Sequence, residues 1–455
     1  MNLKALFKPK TLAVIGVSLT NDRHPANVVY NKNNLRFQAE VFPVNDRGGV
    51  LQGEPVYARL SDIPQKIDLA VIAVRAEGVP KIMAECIEAG VGGAVVVSGG
   101  FAEIGRKDLQ DHMVSLAREA KFPFIGPNCL GIYSPPYMDT FFLPSERMVR
   151  PETGRVALIS QSGGILVDHM TKFAEQGVGL SLAVSIGNKA QIRELDLLGY
   201  FAHDPSTEVI AFYVEGFEKK EGRKFVLEAE KCSKPVIVLK TGKTPGGVKA
   251  VSSHTASMAG DYEVFSAVLS QHGVVEARDE FELVSFCEAL SCYNQPIEGK
   301  IGIISVSGGH GALAVDACLT HGLSVPTLSD QNQAQIRDRV APRVRAIASF
   351  SNPIDLTGSA VDDDFIATAK FLGKRREVDC VLILLLPYTP GISSDLGARL
   401  SQIYRQEGKP LIAYVPHVEK YRIFIEGFEL NRIPVAHSIE GAVQMAEAMK
   451  RCQPC

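Results

Sequence analysis

The sequence has no tryptophan, no strong charge of either sign, no even set of cysteines and no long apolar run. Its 48 basic and 51 acidic residues leave a formal charge of only −3. No broad basic field follows from that balance, which argues against nucleic acid or an anionic membrane as the main partner. Nine cysteines in 455 residues are too few, and odd in number, for a disulfide framework. They suit a reducing compartment. The tail "CQPC" pairs Cys452 with Cys455, but no second pair stands beside it, so two free thiols are expected and no metal site. The opening "MNLKALFKPKTLAVIG" carries no apolar stretch of signal-peptide length, and no segment reaches membrane-span length. The expectation is a cytoplasmic protein.

What the chain does have is alternation. Short β-branched runs are interleaved with helical stretches, the pattern of parallel sheets with crossover helices. "TLAVIGVS", "AEVFPVN", "IDLAVIAV", "GGAVVVSGG" and "FPFIGPN" read as five buried strands, each ending in small or turn-forming residues. They define a Rossmann-like domain over residues 1–132. A proline-rich stretch over 133–154 reads as a linker. After it the chain repeats itself. "RVALISQSGG" at 155 and "KIGIISVSGG" at 300 both read strand, Ser-x-Ser-Gly-Gly, helix. "KPVIVLKTGKT" is matched by "KPLIAYVPHV", and "HGVVEARDEFELVSFCEAL" by "NRIPVAHSIEGAVQMAEAM". Two flavodoxin-like domains are expected, over 155–297 and 298–455, each of ordinary domain size. The fold class is α/β, with doubly wound parallel sheets.

In an open parallel sheet, ligands gather at the carboxyl ends of the strands. Three features of the second domain belong on that edge. The loop Ser160, Gln161, Ser162, Gly163 and Gly164 leads from a strand into a helix, where amides and the helix dipole favour an anion. Glu215 ends the strand "EVIAFYV". The strand "KPVIVLK" runs on into "VKAVSSHTASMAG", which sets His254 among small residues. A carboxylate on one ring nitrogen would leave the other free as a nucleophile, with the phosphoryl oxygens held at the helix terminus. The residues thus admit a phosphohistidine carrier. They also admit a solvated loop histidine beside a tight turn.

The ordered set "LAVIGVS", "VFPVN", "DLAVIAV", "IGPNCLGI", "ALISQSGG", "SIGNKA", "YVEGF", "KPVIVLKTGKT", "SSHTASMAG" and "NPIDLTG" resembles the α subunit of NDP-forming acyl-CoA synthetases, relatives of succinyl-CoA synthetase, across the whole chain. The resemblance implies a phosphorylated His254, a Glu215 that orients it and a phosphate cradle at 160–164. It implies coenzyme A on the first domain, along Gly16, Val17, Ser18, Pro43, Asn45, Ala73, Val74 and Asn128. It also implies ATP/ADP (or another NTP/NDP pair) with Mg on a separate ATP-grasp β subunit, because the three α/β units use up the 455 residues. The expected assembly is a hetero-oligomer acting on a carboxylic acid or its acyl-CoA. A CoA or acyl-CoA sensor without turnover is the alternative, and an NAD(P) oxidoreductase a weaker third.

Three departures from the family pattern stand out. Ala256 replaces a glycine after His-Thr. The first loop, "SLTNDRHPANVV", lacks a lysine, leaving Arg23 and His24 as candidates to meet a CoA phosphate. His310 stands where proline is usual. Phe141, Phe142 and Leu143 suggest an acyl pocket wider than acetate needs.

Overall fold

A computed structural model describes residues 3–254 and 261–452, without the side chains of 252–254. The chain forms two compact units, Met1–Glu276 and Ala277–Cys455. The first unit holds two large sheets and a small antiparallel pair, Gly49–Leu51 with Glu54–Val56. One contains β1 (Thr11–Ile15), β2 (Glu40–Val44), β3 (Leu69–Ile72), β4 (Ala94–Val96) and β5 (Phe124–Ile125), in the order β2-β1-β3-β4-β5 and parallel throughout. The other contains β6 (Gly131–Ser134), β7 (Met138–Asp139), β8 (Thr153–Ser160), β9 (Leu180–Ser185), β10 (Val209–Val214), β11 (Val236–Lys240) and β12 (Val275–Ala277). Its order is β12-β11-β10-β8-β9-β6-β7. The second unit holds β13 (Ile301–Ser305), β14 (Ile354–Asp355), β15 (Cys380–Leu384), β16 (Leu411–Tyr414) and β17 (Val435–Ala436), ordered β14-β13-β15-β16-β17.

Each of the three large sheets therefore contains one five-strand set wound 2-1-3-4-5, the flavodoxin-like order, whose switch point lies beside the first strand. The strands β1, β3, β10, β11, β13 and β15 are buried along their whole length. Helices cover both faces of such sheets, so continuous Val/Ile/Leu runs replace an alternating pattern.

Two boundaries differ from the expected ones. Part of the segment 133–154 is not a bare linker. β6 pairs antiparallel with β9, and β7 with β6, so residues 131–139 widen the second sheet. Asp139 anchors this addition. Its carboxylate is fully buried and meets Lys32 at 2.9 Å and Arg150 at 2.6 Å. The second difference lies at the end of the first unit. Helix Glu280–Cys292 belongs to the second unit, where it packs against Ile439–Arg451. Leu283, Phe286, Cys287 and Leu290 are buried, and Glu288 accepts a 2.6 Å hydrogen bond from the Val435 amide. The two helices are counterparts in the sequence repeat, and each covers apolar surface on the other.

The eight described cysteines are free thiols. Burial pushes Cys86 and Cys129 up to about 12 and raises Cys287 and Cys380 still further, so these groups are packing residues and not nucleophiles. Cys455 lies outside the described residues. Among the described residues no helix is long and apolar enough to cross a membrane.

The helix after the phosphate loop, Gly163–Glu175, carries a buried histidine whose behaviour sets a pH dependence. His169 is 1% exposed, with its ring edge-on to Tyr213 at 5.8 Å. Burial holds it down to about 4, which Asp168 only partly opposes. The unfolded chain takes up this proton near pH 6.5 and the folded one does not, so stability falls as pH drops from 6.5 toward 4. Denaturant midpoints at pH 7 and pH 5 should show His169→Phe sparing about 2 kcal/mol of the loss suffered by the wild-type chain. Equal losses in both would contradict it.

Candidate functional site

The carboxyl edge of the second sheet opens on a cavity of about 650 Å³. Its walls bring together Asn128 and Leu130 after β5, Phe142, the loop Gln161–Gly164, Gly187 and Asn188 after β9, and Tyr213 with Glu215 at the end of β10. Ala250 and Val251 close one side, on the helix Pro245–His254. The His254 side chain and Thr255 to Gly260, Ala256 among them, lie outside the described residues. A larger cavity of about 1140 Å³ lies elsewhere in the unit, between Lys4–Lys10 and Tyr200–Pro205. It contains no strand-end loop, and its Lys8 is already paired with Asp204 at 2.9 Å, so size does not identify the site.

The phosphate loop is shaped by its own serines. Ser160, fully buried, donates its hydroxyl to the Ser162 carbonyl at 2.7 Å and accepts the Ser162 amide at 3.1 Å. Ser162 then caps the helix, accepting from the Ile165 amide at 3.4 Å. The second unit repeats this turn: Ser305 bonds Ser307 in the same two ways, at 2.8 and 3.0 Å. In the first unit the loop leaves two donors over. The amides of Gly163 and Gly164 open the helix and meet no acceptor among the described residues. Free amides at a helix N-terminus, with the helix dipole, favour an anion.

Gln161 has a different role from the expected phosphate contact. Its backbone amide donates to the Tyr213 carbonyl at 3.3 Å. Its side-chain oxygen accepts from the amides of Glu215 at 2.6 Å and Gly216 at 3.2 Å, and its Nε2 donates to the Gly216 carbonyl at 2.8 Å. The side chain thus binds the 215–216 segment as a neighbouring strand would. Its donors are consumed, and it ties the loop to Glu215. Lys240 holds the other side, donating to the Glu215 carbonyl at 2.8 Å. Burial lowers the Lys240 ammonium below its usual range, against the pull of Glu215.

The two glycines of the loop face different surroundings. A Cβ on Gly163 would lie 2.9 Å from Leu130 Cγ, whereas one on Gly164 would meet nothing within 4 Å. A methyl at Gly164 would therefore occupy open space beside the cavity without disturbing the fold. Gly164→Ala should leave the unfolding midpoint unchanged or slightly raised, since alanine favours helix by up to about 1 kcal/mol. It should weaken phosphate capture about tenfold or more, by crowding the amides. Isothermal titration with inorganic phosphate checks this, and unaltered binding would contradict it.

Most of the expected coenzyme A residues share one strand edge. Gly16 has φ +101°, and a Cβ there would lie 2.5 Å from the Ala73 carbonyl oxygen and 3.1 Å from Val74. Asn45 donates to the Val17 carbonyl at 2.6 Å, next to Pro43 in β2. Asn128, with φ +57°, lies apart from these at the mouth of the cavity. The amides of this edge are not free as expected. Gly16 and Val17 both donate to the Val44 carbonyl, at 2.9 and 3.3 Å, and Ser18 donates to Asn27 Oδ1 at 2.6 Å. The pairing with β2 runs past the strand end and consumes the donors that a pyrophosphate would need. His24 caps its helix by accepting from the Ala26 amide at 3.3 Å, and Arg23 is exposed.

Of the three candidate acyl-pocket residues, Phe142 lines the cavity while Phe141 is fully buried in the fold. Behind the loop stand Lys189, the lysine of "SIGNKA", and Glu194, neither of which the sequence marks as a site residue. In the second unit His310 lies 6.2 Å from the Tyr414 ring, and no cavity among those described includes it.

Comparison with known proteins gives a consistent picture. A model of a CoA binding domain matches residues 10–135, and one of a succinyl-CoA ligase like flavodoxin domain matches 153–290. The chain is 32% identical to the acetate–CoA ligase [ADP-forming] I subunit alpha of Pyrococcus furiosus, covering 99% of this chain and 97% of that one. It is 38% identical to acetate–CoA ligase [ADP-forming] I of Archaeoglobus fulgidus over 85% of its own length, but spans only 55% of that longer protein. Among solved structures, dinucleotide forming acetyl-coenzyme A synthetase 1 of Ca. Korarchaeum cryptofilum, in complex with phosphate and ADP, superposes with a TM-score of 0.87. Its sequence identity is 30%, over 99% of this chain and 96% of that one.

Proposed function

The chain belongs to the ADP-forming acid–CoA ligase family, and on that premise we propose that it is the CoA-binding, phosphohistidine-bearing subunit of such a ligase. Phosphate attacks the thioester carbonyl of an acyl-CoA, and the C–S bond breaks to give an acyl phosphate and free CoA. The His254 imidazole then attacks phosphorus, the P–O bond to the acyl group breaks, and the acid leaves as its carboxylate. Glu215 accepts the hydrogen bond of the other ring nitrogen, fixing the tautomer and balancing the positive charge that develops. The Gly163 and Gly164 amides hold the phosphoryl oxygens. A nucleoside diphosphate finally takes the phosphoryl group from His254, giving the triphosphate.

One observation carries this reading. The two free amides of the loop and Glu215 face the same cavity, and the helix ending at His254 forms part of its wall. The cavity's apolar side, with Phe142, Leu130 and Tyr213, suits the hydrocarbon part of a carboxylic acid. Coenzyme A is proposed to lie along the edge from Asn45 and Gly16 past Ala73 and Val74 to Asn128. With the amides of 16–18 engaged, shape and side chains recognise it there. The nucleotide site, with its Mg, is proposed for an ATP-grasp β subunit, in keeping with relatives named as α subunits.

The test follows free thiol. With the isolated chain in micromolar amounts, a saturating acyl-CoA and inorganic phosphate should release about one CoA per chain and then stop, there being no acceptor for the phosphoryl group. Release without phosphate, or none with any thioester in a panel of short and aromatic acids, would contradict the reading.

A further inference from the structure

Behind the phosphate loop stands a buried polar cluster that the proposed chemistry does not use. Lys189 and Glu194 are 7% and 1% exposed, and their side chains meet at 2.8 Å. Lys189 holds φ +43°, a conformation that side-chain-bearing residues seldom adopt. Its ammonium donates also to the Gly216 carbonyl, at 2.5 Å. The same Glu194 oxygen that meets Lys189 accepts from Gln161 Nε2. Gln161 in turn receives the amides of Glu215 and Gly216. Two charged side chains therefore converge on one glutamine and one peptide, and that peptide carries the site's carboxylate.

A buried ion pair is a poor device for stability alone, because desolvation offsets most of the attraction. What it supplies here is geometry. Lys189 fixes the Gly216 carbonyl, Glu194 fixes the Gln161 amide, and Gln161 joins the Glu215 backbone to the loop whose next residues lead to the Gly163 and Gly164 amides. We propose that Lys189 and Glu194 are a positioning pair that sets, through Gln161, the spacing between Glu215 and the phosphate-binding amides. This rests on the function proposed above and adds to it two residues to which that chemistry assigns no direct part.

The prediction separates positioning from stability. Lys189→Met alone leaves Glu194 buried without its partner and should destabilise the chain. Lys189→Met with Glu194→Met removes both charges and should recover a denaturation midpoint near wild type. Phosphohistidine formation in the double variant should nevertheless stay at least about tenfold slow, with the half-saturating acyl-CoA concentration within about twofold of wild type. A double variant that regains the rate along with the stability overturns the proposal. Should the double variant fail to fold, Glu194→Gln, which keeps the shape, must show the same loss of rate without a loss of acyl-CoA binding, and an unaffected rate overturns it. A crystal structure of the folded variant gives a readout apart from activity: the 215–216 peptide should have moved off Gln161, and an unmoved peptide overturns the proposal. If the wild-type chain forms no phosphohistidine, the proposed function fails, and that structure still decides whether the pair positions Glu215.

Discussion

Replacing Glu215 with glutamine is expected to slow phosphohistidine formation by roughly 10²- to 10⁴-fold while leaving the fold intact. Glutamine keeps the length of the side chain but offers a dipole where a full negative charge stood. It neither imposes one imidazole tautomer nor balances the charge on a ring that is becoming phosphorylated. The backbone at this position would not notice the change. Its amide donates to Gln161 at 2.6 Å and its carbonyl accepts from Lys240 at 2.8 Å, and neither contact involves the carboxylate. Denaturation should thus differ from wild type by less than about 1 kcal/mol. Rapid-quench measurement of the phosphoenzyme checks the rate, and a drop of less than about threefold would remove Glu215 from the mechanism.

The second large effect is on stability. Asp139 is fully buried and serves two cations, Lys32 at 2.9 Å and Arg150 at 2.6 Å, while receiving the Phe141 amide at 2.9 Å. Lys32 shows how costly the place is for charge. Burial holds it down to about 8 in spite of the carboxylate beside it. Asp139→Ala strands that ammonium, and the expected cost is about 3–5 kcal/mol, measured as the shift in urea unfolding at pH 7. Adding Lys32→Met should recover part of the loss. The effect reaches the site, because Asp139 fixes the strand that delivers Phe142 to the cavity wall. A cost under about 1 kcal/mol would mean that the network is open to water.

The strands and the two Ser-x-Ser-Gly-Gly loops were legible in the sequence because both depend on local pattern. Buried parallel strands need unbroken apolar runs, and a strand-to-helix turn needs small residues, whereas the 2-1-3-4-5 order comes from the pairing and not from either pattern. What the sequence could not reveal was where hydrogen-bond donors go. "SQSGG" reads as five residues around a phosphate, yet Ser160 spends its hydroxyl on the turn and Gln161 donates its side-chain amide to the Gly216 carbonyl. Gly16 to Ser18 read as a phosphate loop, yet Val44 and Asn27 take their amides. Apart from the Ser160 turn itself, these partners lie 9 to 55 residues away, and no local pattern records them. The pairing of Lys189 with Glu194 was hidden for a similar reason: "SIGNKA" marks the lysine, but a lysine and a glutamate five residues apart in a polar loop look like surface. The helix Glu280–Cys292 reads as the close of the second repeat, and only packing assigns it to the unit that follows.

The central claim is that His254 carries the phosphoryl group, and radiolabelled phosphate tests it most directly. The isolated chain would be incubated with acyl-CoA and labelled phosphate, beside a His254→Gln variant, and digested for mass spectrometry under alkaline conditions. The account predicts label that survives alkali and is lost in acid, confined to the peptide containing His254 and missing from the variant. Label on another residue, or equal label in the variant, would contradict it.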